Sequence, residues 1–394
     1  MIKKDFEKHL KEEHIPFWLG MVDRERGGLY GCMDREGHIL KSADKGTLLQ
    51  SRSLWYFSTA ADLTGDPALR EAADRVYRFF RDHCIDPEYG GVVWTVSPEG
   101  RIKDDSKDTY NQGFAIYALS AYYGLTGKEK ALSIARELYT LVERCFRDRD
   151  GYLEAFNRDL TPRSNERLSE NGVLADRTMN TLLHIMEGYT ELYRVSGDEA
   201  VRSSLLEILD IFRTRVFDPE RRMQKVFFDF DYHSLIDLIS YGHDIETAWL
   251  VDRTLEVIGE REGEEDLLAS VRHITDVLAE AVYERAYDEA SGSLDNECEK
   301  GLVNKNRIWW VQAEAVTGFY NAYGKHPEET RYREASERIF AYIEKNLIDP
   351  SVGEWYEEVR PGNEVYKDKG YVHLWKCPYH NGRMYLEMLK RLPE

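Results

Sequence analysis

The chain is poor in the groups that build disulfide, zinc, nucleic-acid and membrane proteins. Its five cysteines, Cys32, Cys84, Cys145, Cys298 and Cys377, are odd in number, far apart and never in C-x-x-C form. That pattern argues against a disulfide framework and a zinc knuckle, and predicts reduced thiols. No pair of histidines has H-x3-H spacing, and the one near pair of metal-ligand type, Cys377 and His380, has no second pair to complete it; no metal is expected. No stretch approaches the ~18 apolar residues of a membrane span. The opening "MIKKDFEKHLKEEHIPFW" is charged and amphipathic, with no apolar core of a secretion signal, so the expected address is cytoplasmic. Basic residues are the minority: Lys plus Arg is 53 against 72 for Asp plus Glu, a net charge of -19. Such a field repels nucleic acid and anionic membranes, and leaves a neutral small molecule as the expected partner of a monomeric protein.

What the chain does have is repetition. Acidic, glycine-bearing turns recur at "DRERGGLYGCMD" (23–34), "DPEYGGVVWTVS" (86–97), "DRDGYLEAF" (148–156), "DPERRMQKVFF" (218–228), "DEASGSLDNE" (288–297) and "DPSVGEWYEEV" (349–359). Where the glycines match they lie about sixty residues apart, room for two ~15-residue helices and a hairpin-bearing loop. Between the turns, apolar residues recur at three and four with a polar break in the middle, as in "FAIYALSAYYGLTGKEKALSIARELYTLVERCF" (114–146). Five such pairs are complete: 53–80, 114–146, 181–212, 248–282 and 313–347. An N-terminal helix over about 4–20 and a C-terminal one over about 378–391 supply the sixth. The first helix of each pair is rich in small and aromatic residues and the second carries the charges of a solvent-facing surface. This predicts one all-α (α/α)6 barrel over residues 1–394, with six inner and six outer helices and short β-hairpins in the loops at its mouth.

The segments that open the inner helices carry polar and aromatic groups in all six repeats: Arg52; Tyr110; Asn180 and His184; His243, Glu246 and Trp249; Trp309, Trp310 and Glu314; Trp375, His380 and Arg383. Closure of the ring brings them together. Of the other histidines, His9, His14, His38, His83, His273 and His326 lie in charged or turn contexts and read as solvated, and His233 and His373 as loop residues near the mouth. His184, His243 and His380 stand apart because each falls on the first turns of an inner helix. Pro378 fits a first helical turn, which places His380 just inside it, where the helix dipole keeps an imidazole neutral. His243 and Glu246 at i and i+3 share a helix face, so the carboxylate is expected to fix the His243 tautomer and favour its charged form. One base and one acid suit a proton that leaves one face of a carbon and returns on the other. Trp309 and Trp310, adjacent on one helix, cannot both face the outer layer, and an aromatic face in a polar mouth suits sugar stacking.

At these residues the sequence resembles the N-acylglucosamine 2-epimerase superfamily, and within it the cellobiose 2-epimerases. The resemblance is carried by "SENGVLADRTMNTLLH" (169–184), "KVFFD" (225–229), "SYGHDIE" (240–246), "WWVQAEAV" (309–316) and "WKCPYHNGRM" (375–384). It implies an (α/α)6 barrel, no cofactor, and reversible epimerisation at C2 of the reducing-end glucose of β-1,4-linked disaccharides. It also implies that His243 and His380 are the acid/base pair and that His184 assists the intermediate. Arg52, Tyr110, Asn180 and Glu246 would line the reducing-end sugar, and Trp310 and Trp375 would stack on sugar rings, with Trp309 and Asp176 as further candidates; Trp249 and Glu314 are candidate sugar contacts from their place at the inner-helix entries alone. His373 and Tyr385 depart from the family pattern, and no family role passes to His373.

The implied chemistry opens the sugar ring, removes the C2 proton to give a cis-enediolate held by Arg52 and Tyr110, and returns a proton on the other face. A monosaccharide 2-epimerase or aldose-ketose isomerase of the same superfamily is the nearest alternative. An inverting glycosidase is a more distant one, needing two carboxylates ~6.5–9.5 Å apart, for which Glu246 and Glu314 are the best pair. A non-catalytic sugar- or protein-binding module is the third.

Overall fold

The computed structural model describes residues 3–165, 167 and 171–393. Ser169 and Glu170 of the "SENGVLADRTMNTLLH" stretch lie outside the described residues. The inner helices are α3 (Thr47–Thr64), α5 (Thr109–Thr126), α7 (Met179–Ser196), α9 (Tyr241–Ile258), α11 (Trp309–Lys325) and α13 (His380–Arg391). The outer layer is α4 (Pro67–Phe79), α6 (Glu129–Leu141), α8 (Glu199–Ile211), α10 (Glu265–Ala286) and α12 (Thr330–Asn346), completed by the N-terminal segment. That segment is α1 (Lys3–His9), a π-helical turn Leu10–His14, and α2 (Ile15–Gly20). It packs on α13 through Phe6 and Tyr385, whose rings meet edge-on at 6.3 Å. This is the six-over-six barrel that the periodicity predicts, with the two ends of the chain forming the sixth pair. Among the described residues, no helix is long and apolar enough to cross a membrane.

The polar breaks end the inner helices by backbone geometry. Gly65, Gly127 and Gly197 take left-handed φ values of 70°, 67° and 63°, which L side chains adopt at a cost. Asp66 and Asp198 then cap the next helix by accepting from the Ala68 and Ala200 amides.

At the other end of the barrel the hairpins are linked in a ring. The strand before each inner helix pairs with the hairpin of the following repeat: Lys45–Gly46 with Thr95–Val96, Lys107–Asp108 with Ala155–Phe156, and Arg177–Thr178 with Phe227–Phe228. Leu238–Ser240 pairs with Glu297–Glu299, and Arg307–Ile308 with Glu358–Arg360. A Met33–Val372 bridge joins the last repeat to the first and closes the ring.

Side chains fix each hairpin to its helix. Gln50, Gln112 and Gln312 stand in the first turns of α3, α5 and α11, and each exchanges two hydrogen bonds with one hairpin residue, Leu29, Val92 and Leu294 respectively. Buried cations two residues ahead of these helices reach the acidic turns: Lys45 to Asp23 at 2.9 Å and Lys107 to Asp86 at 3.1 Å. Arg177 and Arg307 repeat the contact with Asp148 and Asp288. The acidic turns recognised by repetition are thus anchors for the segments that open the inner helices.

Glu154 takes the corresponding role in front of α7. It is buried and accepts from the Thr178 amide at 2.6 Å and the Thr181 hydroxyl at 2.7 Å. Burial pushes its carboxyl up to about 8. The folded state therefore holds a proton that the unfolded state has released above its ordinary carboxylate value, so this group's stabilisation is full below that value and is lost as pH rises toward 8. Thermal melts of wild type and Glu154→Gln should diverge accordingly: wild type loses several degrees relative to the variant between about pH 5 and pH 8. Parallel pH dependences would contradict this.

Two inner helices approach so closely that only glycine fits between them. A Cβ on Gly188 would lie 2.4 Å from the Gly113 carbonyl oxygen, and one on Gly113 would lie 2.9 Å from the carbonyl oxygen of His184. The α5–α7 contact therefore sets the depth of His184. Gly188→Ala should destabilise the protein by about 1–3 kcal/mol through overpacking, read as a lower urea midpoint at unchanged slope.

Candidate active site

The mouth of the ring collects the six inner-helix entries. Trp310, on the first turn of α11, touches two imidazoles with one indole: its ring is 4.7 Å from that of His243 and 5.5 Å from that of His380. Gly242 makes the room, since a Cβ there would sit 2.6 Å from the far edge of the Trp310 ring. His243, Trp310, Trp375 and Asn180 are each partly exposed. On the opposite wall, Tyr110 meets His184 edge-on at 5.2 Å and lies 6.0 Å from Trp375. Arg52 donates to the Tyr110 oxygen at 2.5 Å, which leaves the phenol O–H free to donate elsewhere. Burial moves the Tyr110 phenol up to about 12, so it stays a donor at neutral pH.

Below this surface lies one connected charge cluster. The Arg383 guanidinium, almost wholly buried, bridges Glu187 at 2.6 Å, Glu314 at 2.7 Å and Glu246. Glu314 in turn accepts from His380 Nδ1 at 2.7 Å and from the Trp249 indole at 3.0 Å. Glu187 accepts from His184 Nδ1 at 3.0 Å and from the Tyr379 hydroxyl. One guanidinium cannot hold three buried carboxylates ionised. Against burial, Arg383 keeps Glu187 down at about 2. Burial and the neighbouring Glu314 push Glu246 up to about 8, and burial raises Glu314.

The imidazoles follow from this arrangement. His380 and His184 each spend Nδ1–H on a carboxylate, which leaves Nε2 with a lone pair and makes both bases. Burial holds His184 at about 4; burial together with Arg52 and Arg383 holds His380 well below the ordinary histidine range. His243 sits at about 3 through burial and the proximity of His184. Its Nδ1 meets the Ser240 hydroxyl at 2.7 Å. A hydroxyl donates or accepts, so His243 can present either a lone pair or an N–H at Nε2.

Several expectations from the sequence change here. Glu246 does not orient His243 or favour its charge: it reaches Arg383, while Ser240 holds His243. The imidazole of the mouth with a carboxylate behind it is His380, and the carboxylate is Glu314. α13 begins at His380, so Pro378 lies ahead of the helix and not in its first turn. Trp249 is buried behind Glu314 and supports that carboxylate instead of facing a sugar. Trp309 is nearly buried, edge-on to His380 at 6.2 Å. Asp176 stands on the rim, its carboxyl raised by burial and by Asp229. His14, read as solvated, is buried and bonded to the Tyr56 hydroxyl at 2.7 Å.

The sequence reading missed Glu187 and Tyr379. The signal for Glu187 was present, since it follows His184 at i+3, the spacing that drew attention to Glu246. Glu246, Glu314 and His380 also form a group of metal-ligand type, their donor atoms within 4.8 Å of one another. The cation among them is the Arg383 guanidinium, which already bonds both carboxylates. The same closeness removes the glycosidase pairing, because these carboxylates share one donor instead of facing each other across a sugar. Buried polar atoms without a partner among the described residues occur in several parts of the fold, and those at the mouth include Arg52 Nε, Asn180 Oδ1, Glu246 Oε2, the Trp309 indole nitrogen and Arg383 Nε.

The chain is similar to known proteins along nearly its whole length. The chain is 44% identical to the cellobiose 2-epimerase of Eubacterium cellulosolvens, the match covering 97% of each chain. It is 41% identical to a sugar epimerase from a ruminal bacterium, superposing with a TM-score of 0.96 over all of both chains. It is 39% identical to the cellobiose 2-epimerase of Bacillus thermoamylovorans, with a TM-score of 0.93 over 99% of each. Residues 28–376 match the family model described as N-acylglucosamine 2-epimerase (GlcNAc 2-epimerase). The chain belongs to the N-acylglucosamine 2-epimerase family.

Proposed function

We propose that the chain is a carbohydrate epimerase that inverts C2 of the reducing-end glucose in β-1,4-linked disaccharides, converting cellobiose to glucosyl-mannose and lactose to epilactose. The observation that carries this reading is the single Trp310 ring packed against both His243 and His380, which places two imidazoles beside one aromatic platform. The relatives named cellobiose 2-epimerase support the substrate class. One barrel, acting as a monomer on a soluble sugar in the cytoplasm, suffices for the reaction.

One of the two histidines opens the hemiacetal by carrying the anomeric hydroxyl proton to the ring oxygen. His380 Nε2 then takes the C2 proton, and the new imidazolium is stabilised by Glu314 behind Nδ1. Tyr110 and Arg52 donate to the enediolate oxygens, and His184, anchored by Glu187, assists on the same wall. The imidazolium exchanges its proton with solvent and gives one to O1, forming a neutral enediol, and rotation about C2–C3 exposes the second face. His243 draws the O1 proton and delivers it to C2 as the aldehyde re-forms. Ring closure completes the epimer, and both histidines end neutral. The opposite direction uses the same groups in reverse.

Incubation with cellobiose in heavy water tests the reading. The expected products are glucosyl-mannose with deuterium at C2 and no free glucose. Free glucose, or recovery of cellobiose without label, would overturn it. Exclusive turnover of mannose or another monosaccharide would replace the disaccharide with the superfamily's alternative substrates.

A further inference from the structure

His373 is the motif histidine with no role so far, and both of its ring nitrogens are engaged. Nε2 donates to Glu357 Oε2 at 2.7 Å, which makes Nδ1 an acceptor. Nδ1 receives the backbone amides of Trp375 at 3.2 Å and Lys376 at 3.3 Å, and the His373 amide donates to the Lys376 carbonyl at 3.3 Å. The side chain thus closes a turn over residues 373–376, the geometry Asn and Asp use in Asx turns. Glu357 is itself fixed. Its other oxygen accepts from Lys369 at 2.7 Å, and its carbonyl receives the Trp309 amide at 3.0 Å where α11 begins.

The same turn is held on two further sides. Val372 pairs with Met33, and the Leu374 side chain fills the space that a Cβ on Gly46 would need. What the turn presents is Trp375, whose indole lies 5.6 Å from Trp94 and 6.0 Å from Tyr110 and whose carbonyl is 3.4 Å from Arg52 Nη1. We propose that His373, oriented by Glu357, is a positioning residue that fixes the Trp375 platform for the sugar. With neither nitrogen free, His373 itself takes no part in the chemistry. Glu357 joins the two aromatic walls of the mouth, Trp309–Trp310 through its backbone and Trp375 through its side chain. The inference rests on the reading of Trp375 as a sugar platform under the proposed function.

Steady-state kinetics with cellobiose separate the possibilities. Loss of a contact made equally in ground and transition state raises KM and spares kcat, so His373→Ala should raise KM about tenfold with kcat within about twofold of wild type. In His373→Asn, Oδ1 occupies the place of Nδ1, and KM should return to within about twofold of wild type. Glu357→Gln, which keeps shape and removes charge, should raise KM about threefold and serves if the alanine variant does not fold by circular dichroism. Trp375→Ala is the control and should raise KM at least as far as His373→Ala. If Trp375→Ala leaves KM unchanged, the platform reading fails. If it raises KM but His373→Ala or Glu357→Gln does not, the positioning role fails while the platform stands. A His373→Asn variant as impaired as His373→Ala also overturns it, as does a fall in kcat at unchanged KM.

Discussion

Replacing His380 with alanine should lower kcat for cellobiose epimerisation by about 10²–10⁴-fold, and His243→Ala should do the same, the range typical of a lost acid/base group. The two variants differ in what remains. With His243 gone, His380 still carries its lone pair at Nε2 and its Glu314 partner, so C2 deprotonation survives and solvent deuterium enters cellobiose without inversion. With His380 gone, His243 has only Ser240 behind it and exchange from cellobiose is lost, while exchange from the glucosyl-mannose epimer persists. Proton NMR of the recovered sugars in heavy water reads both. Wild-type turnover in either variant would end the two-histidine assignment, and equal exchange patterns would end the division of faces.

Arg383→Met should cost about 3–5 kcal/mol of stability at neutral pH, because it leaves Glu187, Glu246 and Glu314 buried without their cation. Without the guanidinium Glu187 loses the charge that holds it down, and Glu246 and Glu314, raised already, rise further. Their stabilisation is present at low pH and lost as pH rises, so the deficit against wild type should be smaller at about pH 5 than at about pH 8. Urea denaturation at the two pH values measures it. Arg383→Lys should recover only part of the loss, since a single ammonium nitrogen lacks the rigid planar spread by which the guanidinium meets Glu187 through Nη1 and Glu246 and Glu314 through Nη2. A deficit below about 1 kcal/mol would show that the cluster neutralises itself without the arginine.

The repeat architecture was legible because it is local. Apolar spacing of three and four marked the helices, and "TGDP", "TGKE" and "SGDE" marked the breaks where Gly65, Gly127 and Gly197 turn the chain. The π-helical turns Phe80–Cys84, Val142–Phe146 and Phe212–Val216 that end three outer helices left no such trace. The entries to the inner helices were also legible, and the structure assembles them at one mouth. Partner choice was not. Glu246 stands three residues from His243, yet Arg383, far along the chain, captures it. His14 lies in a run of charges, but Tyr56 and Glu354 from other repeats enclose it. Trp249 reads like the other tryptophans until Glu314 claims its indole. Spacing along a helix fixes which face a side chain shares, while ring closure decides what stands opposite.

The Met33–Val372 bridge has a further consequence. An open stack of helical pairs frays from its outermost unit, because that unit has a neighbour on one side only. Here every repeat is clasped by two others, so none can loosen first without parting two seams at once. Melting should therefore be a single cooperative event, and amide exchange in the first and last helices should be as slow as in the middle of the chain.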